Sequence, residues 1–265
     1  MRAAAIALGF AFDGCTVRLR ELNGHDERRI VGTTTADALQ LLDAVIEPLA
    51  RENPPPRAED LVAADRDRLL AALYQQAFGD RIEATLKCEG CSEPFDIHFS
   101  LRELIATVEQ RPRDPSYLVV GPNLFQTAAG HRFRVPTGRD ESAAAAAASP
   151  DSVESSLLQR CVVDPTAPLD AAALQEALDE VAPLLEFELR ASCPECQRVH
   201  LVQFDIQTYL LRSLLGEQDR LAAELHRIAL AYGWSPDDIL SLHRSERRQL
   251  VALIENETTG RRRPR

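Results

Sequence analysis

Two cysteine-bearing segments set far apart constrain this chain more than any other feature: 81-RIEATLKCEGCSEPFDIHFSL-101 and 186-EFELRASCPECQRVHLVQFDI-206. In the first, Ile82, Ala84 and Leu86 alternate before a CxxC turn, and Phe95, Ile97 and Phe99 alternate after it. In the second, Phe187 and Leu189 precede the turn; Val199 and Leu201 follow it and then, after a slip, Phe204 and Ile206. Period-two alternation around a polar turn predicts two β-hairpins. Each CxxC turn brings two thiolates to one point, and two facing turns supply the four sulfurs of a closed tetrahedral zinc site. The expectation is a split zinc ribbon, with Cys88, Cys91, Cys193 and Cys196 holding one structural Zn²⁺ per chain.

Other uses of the cysteines fit less well. The halves of a compact ribbon usually lie about 15–20 residues apart, far closer than here. A thioredoxin-like CxxC, however, needs a strand that feeds a helix, with the first cysteine at the helix N-terminus where its pKa falls. Here each motif is followed by another strand. Four thiolates also leave no open coordination position, so the metal is expected to be structural and not catalytic.

The 265 residues suit one large domain or two modest ones. A formal net charge of −11 repels phosphate backbones and disfavours nucleic acid as a partner, apart from the basic end 261-RRRPR-265. Four of the six cysteines lie in CxxC pairs, which suits a reducing interior better than a secreted disulfide framework and points to the cytoplasm. Cys15 and Cys161 have no local acid or His to activate them and read as small packing residues. No apolar run reaches the length of a membrane span. The segment 1-MRAAAIALGFAF-12 lacks the cleavage site of a signal peptide.

In chain order, 16-TVRLREL-22, Asn23-Gly24 and 28-RRIVG-32 predict an N-terminal β-hairpin, because Asn-Gly favours a tight turn. Helices are expected over 33–50 and 59–78, with the stiff spacer 52-ENPPPR-57 between them. A short helix over 101–108 follows the first cysteine hairpin, and 117-YLVVG-121 and 131-HRFRVPTG-138 read as another pair of strands. Helices after Gly138, over 152–162 and over 171–183 follow, with 164-DPTAPLD-170 a turn-rich break. A long amphipathic pattern runs from Thr208 to about Ala231 through Leu211, Leu214, Leu221 and Ile228. Ser235 and Pro236 then start a short helix, and 245–256 forms the last. The mixed charges of 244-RSERRQL-250 read as a solvated face or an interface edge.

The expected architecture is therefore α+β. Residues 1–57 form an N-terminal hairpin plus helix, and 58–206 a zinc-ribbon core with an Ala-rich insert at 142–149. Residues 207–256 form a helical region, and 257–265 a disordered basic tail. There is no P-loop, GxGxxG, GxSxG or HExxH, and the histidines are scattered. His98 and His200, on the return arms of the two hairpins, could join a metal shell, but four cysteines already complete the site and they read as ordinary strand residues; His226 reads as a core or interface residue. No catalytic residue and no small-molecule substrate are expected.

The order of motifs carries a further signal. Asp65-Arg66, Leu69 and Leu70 lead to Phe78-Gly79-Asp80 and the first CxxC hairpin. Then come 136-PTG-138 and the second CxxC hairpin, and the chain closes with 226-HRIALAYGWSPDDILSL-242 and 247-RRQLVALI-254. In this order, over residues 60–256, the chain resembles the baseplate hub assembly proteins of T-even-type contractile phages and their relatives in phage-like contractile injection systems. The Ala-rich insert matches no part of that pattern. The resemblance implies a non-enzymatic structural or assembly role, with other baseplate or tail-tube proteins as partners. The other readings are a zinc-ribbon nucleic-acid-binding or regulatory module and a CxxC thiol oxidoreductase.

Overall fold

The computed structural model describes residues 5–10, 15–48, 56–110, 117–147, 153–163 and 170–261. Most of the spacer 52–57, most of the break 164–170, the end of the Ala-rich insert and the last four residues fall outside them.

Strands β1 (Ala5–Leu8), β2 (Cys15–Leu19) and β3 (Ile46–Pro48) form a three-stranded antiparallel sheet. The N-terminal hairpin is thus built from β1 and β2, not around Asn23-Gly24. Asn23 is instead the N-cap of α1 (Gly24–Arg29), in a reciprocal capping box with Asp26. An Asn side chain serves a helix start as readily as a turn, and Asp at the third helical position decides for the helix. Gly24 serves packing here: a Cβ on it would lie 2.7 Å from Leu240 Cδ2 and 3.0 Å from Leu240 Cα. Helix α2 (Thr35–Val45), capped by Thr34, returns the chain to β3.

After a short 3-10 turn, α3 (Ala63–Phe78) crosses the centre of the molecule with Leu69, Leu70, Ala71 and Leu73 fully buried. Gly79, at φ +90°, ends it and turns the chain into β4 (Arg81–Lys87), which pairs with β5 (Pro94–Ser100). Ser100 caps α4 (Leu101–Glu109). Beyond it lies a meander of β6 (Tyr117–Gly121), β7 (Leu124–Thr127) and β8 (Arg132–Phe133). The expected pairing of 117–121 with 131–138 is corrected by β7, which lies between them. Asn123, at φ +46°, makes the intervening turn a tight one, and its side chain bonds both N and O of Val135.

Helices α5 (Gly138–Ala147), α6 (Val153–Cys161) and α7 (Ala171–Val181) complete the middle. Phe125, Phe133, Val135, Cys161, Leu174 and Val181 form a satellite core that reaches Val62 and Ala64 at the start of α3. Cys161 is fully buried there, and burial pushes its thiol up to about 11, which suits a packing residue.

The second hairpin, β9 (Glu186–Ser192) with β10 (Val199–Asp205), leads directly into α8 (Ile206–Gly216), capped by Asp205. Leu210, Leu211 and Leu214 of α8 join α3, α2 and β2 in one main core. The pattern expected as one helix from 208 to 231 breaks at Glu217, and α9 (Gln218–Tyr232) starts anew. Gly216 is a weak helix former at that break, and the Glu217 carboxylate is used to bind Arg244 and Arg248. Helix α10 (Pro236–Ser241) starts at Ser235 as expected, and α11 runs from Arg244 to Arg261. Residues 257–261, expected to be disordered, continue that helix, because extending an existing helix adds one hydrogen bond per residue fixed. No helix among the described residues is long and apolar enough to cross a membrane.

The entrance to the second hairpin is held by α3. Asp67 is 5 % exposed and its Oδ2 accepts the Leu185 N–H at 2.9 Å, while the Arg68 guanidinium donates to Pro183 O. Burial pushes the Asp67 carboxyl up to about 7, against the opposing charges of Arg66 and Arg68 and with help from Asp205. A raised carboxylate pKa means that the folded state holds a proton the unfolded state releases from about pH 4 upward. Asp67 therefore makes the protein progressively less stable as pH rises from about 4 to about 7, and the penalty is complete above that. Asp67→Asn keeps an acceptor for Leu185. It is expected to flatten this dependence and to raise stability at pH 8 by roughly 2–4 kcal/mol. Denaturant melts of both proteins at pH 5 and pH 8 check this; equal differences at the two pH values would contradict it.

Candidate metal centre

The two CxxC turns are built alike. In the first, the Cys88 N–H donates to Glu93 O at 3.0 Å and the Ser92 N–H to Cys88 O at 2.9 Å. In the second, the Cys193 N–H donates to Arg198 O and the Gln197 N–H to Cys193 O, both at 2.9 Å. Ser92 and Gln197, which follow the second cysteine of each turn, adopt φ +65° and +62°. This left-handed residue folds each loop back on itself, so that both of its thiols face the opposite hairpin. Gly90 occupies the first turn because a Cβ there would lie 3.3 Å from Cys196 Sγ and 3.1 Å from Arg198 Cδ. Its N–H donates to Cys88 Sγ at 3.3 Å.

The hairpins pack face to face below the turns. Phe95 lies against His200 with ring centroids 5.4 Å apart, and Phe99 meets Phe204 edge-on at 5.1 Å. Leu86, Ile97, Ala191 and Val202 fill the space between, directly beneath the sulfurs. Corresponding residues of the two hairpins thus meet each other, which sets the turns opposite one another.

As a result the Sγ atoms of Cys88, Cys91, Cys193 and Cys196 lie within 4.8 Å of one another, a group that can hold a metal ion. The closest cross-hairpin pairs are Cys88 to Cys196 at 3.5 Å and Cys91 to Cys193 at 3.7 Å. A tetrahedron of sulfurs at a Zn–S distance of about 2.3 Å has edges of about 3.8 Å, so the spacing fits a tetrahedral thiolate site. All four cysteines are free of disulfides. Cys88 and Cys193 are fully buried, Cys91 is half-buried and Cys196 is exposed at the rim.

The electrostatics favour one thiolate before any metal arrives. The Cys88 thiol is held down at about 5 by the backbone N–H groups of Cys91 and Gly90 and by His200. Cys91 is pushed up to about 12: the Glu93 N–H favours its thiolate, but burial and the neighbouring sulfurs oppose a second charge at the same point. Thiolates this close repel one another, and a divalent cation among them would remove that conflict. Each motif leads into a strand, so no helix N-terminus activates either pair as in a redox CxxC.

His200 is more than an ordinary strand residue. Its Nε2 lies 3.3 Å from Cys88 Sγ and bonds that sulfur without joining the four-cysteine group. The signal for it was the register of β10. Val199 to Asp205 pair with Ser192 to Glu186 without interruption, so the expected slip is absent. His200, Val202 and Phe204 therefore point inward, and Val199 and Leu201 are exposed. His98 occupies an outward position on β5, and His226 is exposed on α9.

Fold and cluster together define a class: an α+β scaffold whose distant halves meet at a four-cysteine group able to hold a metal ion. Residues 10–211 match the family model described as T4 bacteriophage base plate protein, and the chain belongs to that family. No curated protein and no solved structure matches it. The matched segment takes in both cysteine hairpins and the first half of α8 but stops short of α9 to α11, so the motif 226–242 lies beyond it. Family membership supports a structural baseplate role.

The C-terminal helices are joined to the matched body by buried charge. Arg247, 0 % exposed, donates to Glu27 Oε1 of α1 at 2.6 Å, to Glu224 Oε2 of α9 at 3.1 Å and to Leu242 O at 2.8 Å. Arg244 lies over the Phe78 ring at 4.4 Å and donates to Glu217, which also accepts from Arg248. The run 244–250 is thus neither a solvated face nor an interface edge at Arg244 and Arg247.

Proposed function

We propose that this chain is a non-enzymatic structural or assembly component of the baseplate of a contractile phage tail-like particle or injection system, stabilised by one structural zinc. The observation that carries this reading is that the matched family segment contains both CxxC turns, which meet in a single cluster. Zinc suits four sulfurs at near-tetrahedral spacing, and Cys88, Cys91, Cys193 and Cys196 would hold it. With all four positions taken by thiolates, the metal offers no site to a substrate and acts as a staple. Its partners would be other baseplate or tail-tube proteins, as for a hub assembly factor. In the same reading, 1–57, 58–206 and 207–256 act as successive parts of one scaffold.

The test is loss of the chain from a producing strain, followed by electron microscopy of the particles. Incomplete or absent baseplates, restored by the wild-type chain and not by Cys88→Ser, are the expected result. Normal contractile particles without the chain would overturn the proposal.

A further inference from the structure

The two cysteine hairpins are near copies in fold, but their edges differ. In an antiparallel ladder, opposite residues alternate between pairs that exchange backbone hydrogen bonds and pairs whose N–H and C=O groups point away. Counting from the Cys88 to Glu93 bond, the outward groups of β4 belong to Arg81, Glu83, Thr85 and Lys87. Two tyrosines close much of this edge. Tyr74 Oη donates to Arg81 O at 3.0 Å, and Tyr209 Oη both accepts the Glu83 N–H and donates to Glu83 O. On β5 the outward positions are Pro94, which has no N–H, and the polar Asp96 and His98, the pattern that blunts an edge against pairing.

The same count from the Cys193 to Arg198 bond places the outward groups of β10 at Val199, Leu201 and Gln203. No described residue bonds their N–H or C=O. Where β5 has Pro94 and Asp96, β10 has Val199 and Leu201, 51 % and 58 % exposed. At the Gln203 end of this edge opens a groove of about 460 Å³, bounded by β4 on its far side and lined by Phe99, Leu189, Phe204, Tyr209 and Arg212.

We propose that the β10 edge and this groove receive an extended segment of a neighbouring polypeptide as an added strand. Its backbone would pair with Leu201 and Gln203, with alternate side chains lying in the groove and over Val199 and Leu201. Unpaired donors and acceptors in strand register specify a strand as the occupant, and the apolar residues on both sides specify Val, Ile or Thr at successive positions. The net charge of −11 favours a basic segment over a second copy of this acidic chain. This deepens the proposed structural role by naming the kind of partner. A particle that requires the chain, but whose β10 edge binds no strand, would overturn this inference and leave that role standing.

The test uses full-length, metal-replete protein and a fluorescent, end-capped peptide, Lys-Thr-Val-Thr-Val-Thr-Val-Lys, followed by anisotropy and by amide hydrogen exchange. Saturable binding that slows exchange at Leu201 and Gln203 is expected. Gln203→Pro removes an outward N–H that the hairpin itself does not use. It is expected to weaken binding at least about tenfold, with metal content and melting temperature unchanged. Should that variant misfold, Leu201→Lys is expected to lose binding in the same way while Gln203→Thr retains it. No saturable binding, equal binding by the folded edge variant, or protection that rises with protein concentration alone would each overturn the inference, the last by placing a second copy on the edge.

Discussion

With one structural zinc proposed at the four-cysteine group, chelator treatment is expected to unfold this protein, not merely loosen it. The four sulfurs come from loops more than a hundred residues apart: Cys88 and Cys196 are separated by 108 positions, Cys91 and Cys193 by 102. The apolar residues directly beneath them are few, Leu86, Phe95, Ile97, Ala191 and Val202, with Phe99 and Phe204 meeting lower down. Binding of a structural zinc contributes about 10–16 kcal/mol to zinc-finger peptides at neutral pH, as much as the whole stability of an ordinary domain. Cys88→Ser removes the thiol held down by the Cys91 and Gly90 N–H groups and His200, and leaves the proposed zinc one thiolate short of a tetrahedron. A thermal melt of the variant, and of wild type with and without chelator, is expected to show loss of the native transition in both treated samples. A Cys88→Ser protein with unaltered melting temperature and metal content would contradict this.

The second large effect is expected at Arg247. Replacing it by Ala leaves the Glu27 and Glu224 carboxylates, 4 % and 6 % exposed, without their principal cation, and breaking a buried pair from one side costs about 3–5 kcal/mol. The loss should be felt first where the network joins elements, between α1, α9 and α11. Hydrogen exchange in α9 to α11 should therefore accelerate more than in α3. Arg227→Ala, which breaks an exposed pair with Glu255, is expected to cost under about 1 kcal/mol. Denaturant unfolding of the two variants gives the comparison. Equal small losses would mean that the C-terminal helices are held by their apolar contacts alone.

Arg247 also shows where sequence reading stops. Nothing in 244-RSERRQL-250 distinguishes an arginine facing water from one facing two buried glutamates, because Glu27 lies more than two hundred residues away in the chain. The cysteine hairpins were legible for the opposite reason: alternation and turn spacing are local, and each hairpin states its own register. Even there, the slip expected after Leu201 inverts the faces of the first half of β10, turning His200 outward and Val199 and Leu201 inward, while Phe204 is placed correctly. Asn23-Gly24 was read as a turn because the competing signal, Asp26 three residues on, belongs to helix capping. The strand 124–127 was missed because the turn at Asn123 carries no conspicuous hairpin pair. The apolar stripes of α2 and α3 are visible in the sequence, and those of α8 and α9 as one continuous pattern. The packing of α2, α3 and α8 into one core with β2 is not, since it depends on contacts between distant parts of the chain.

X-ray absorption at the zinc edge of the purified protein tests the stapled scaffold most directly, since it reports metal identity and ligand set together. A stoichiometric zinc with four sulfur neighbours at about 2.3 Å is the predicted spectrum. Absence of zinc from protein purified without chelator, with four thiols open to modification, would contradict it, as would a zinc site with fewer than four sulfurs.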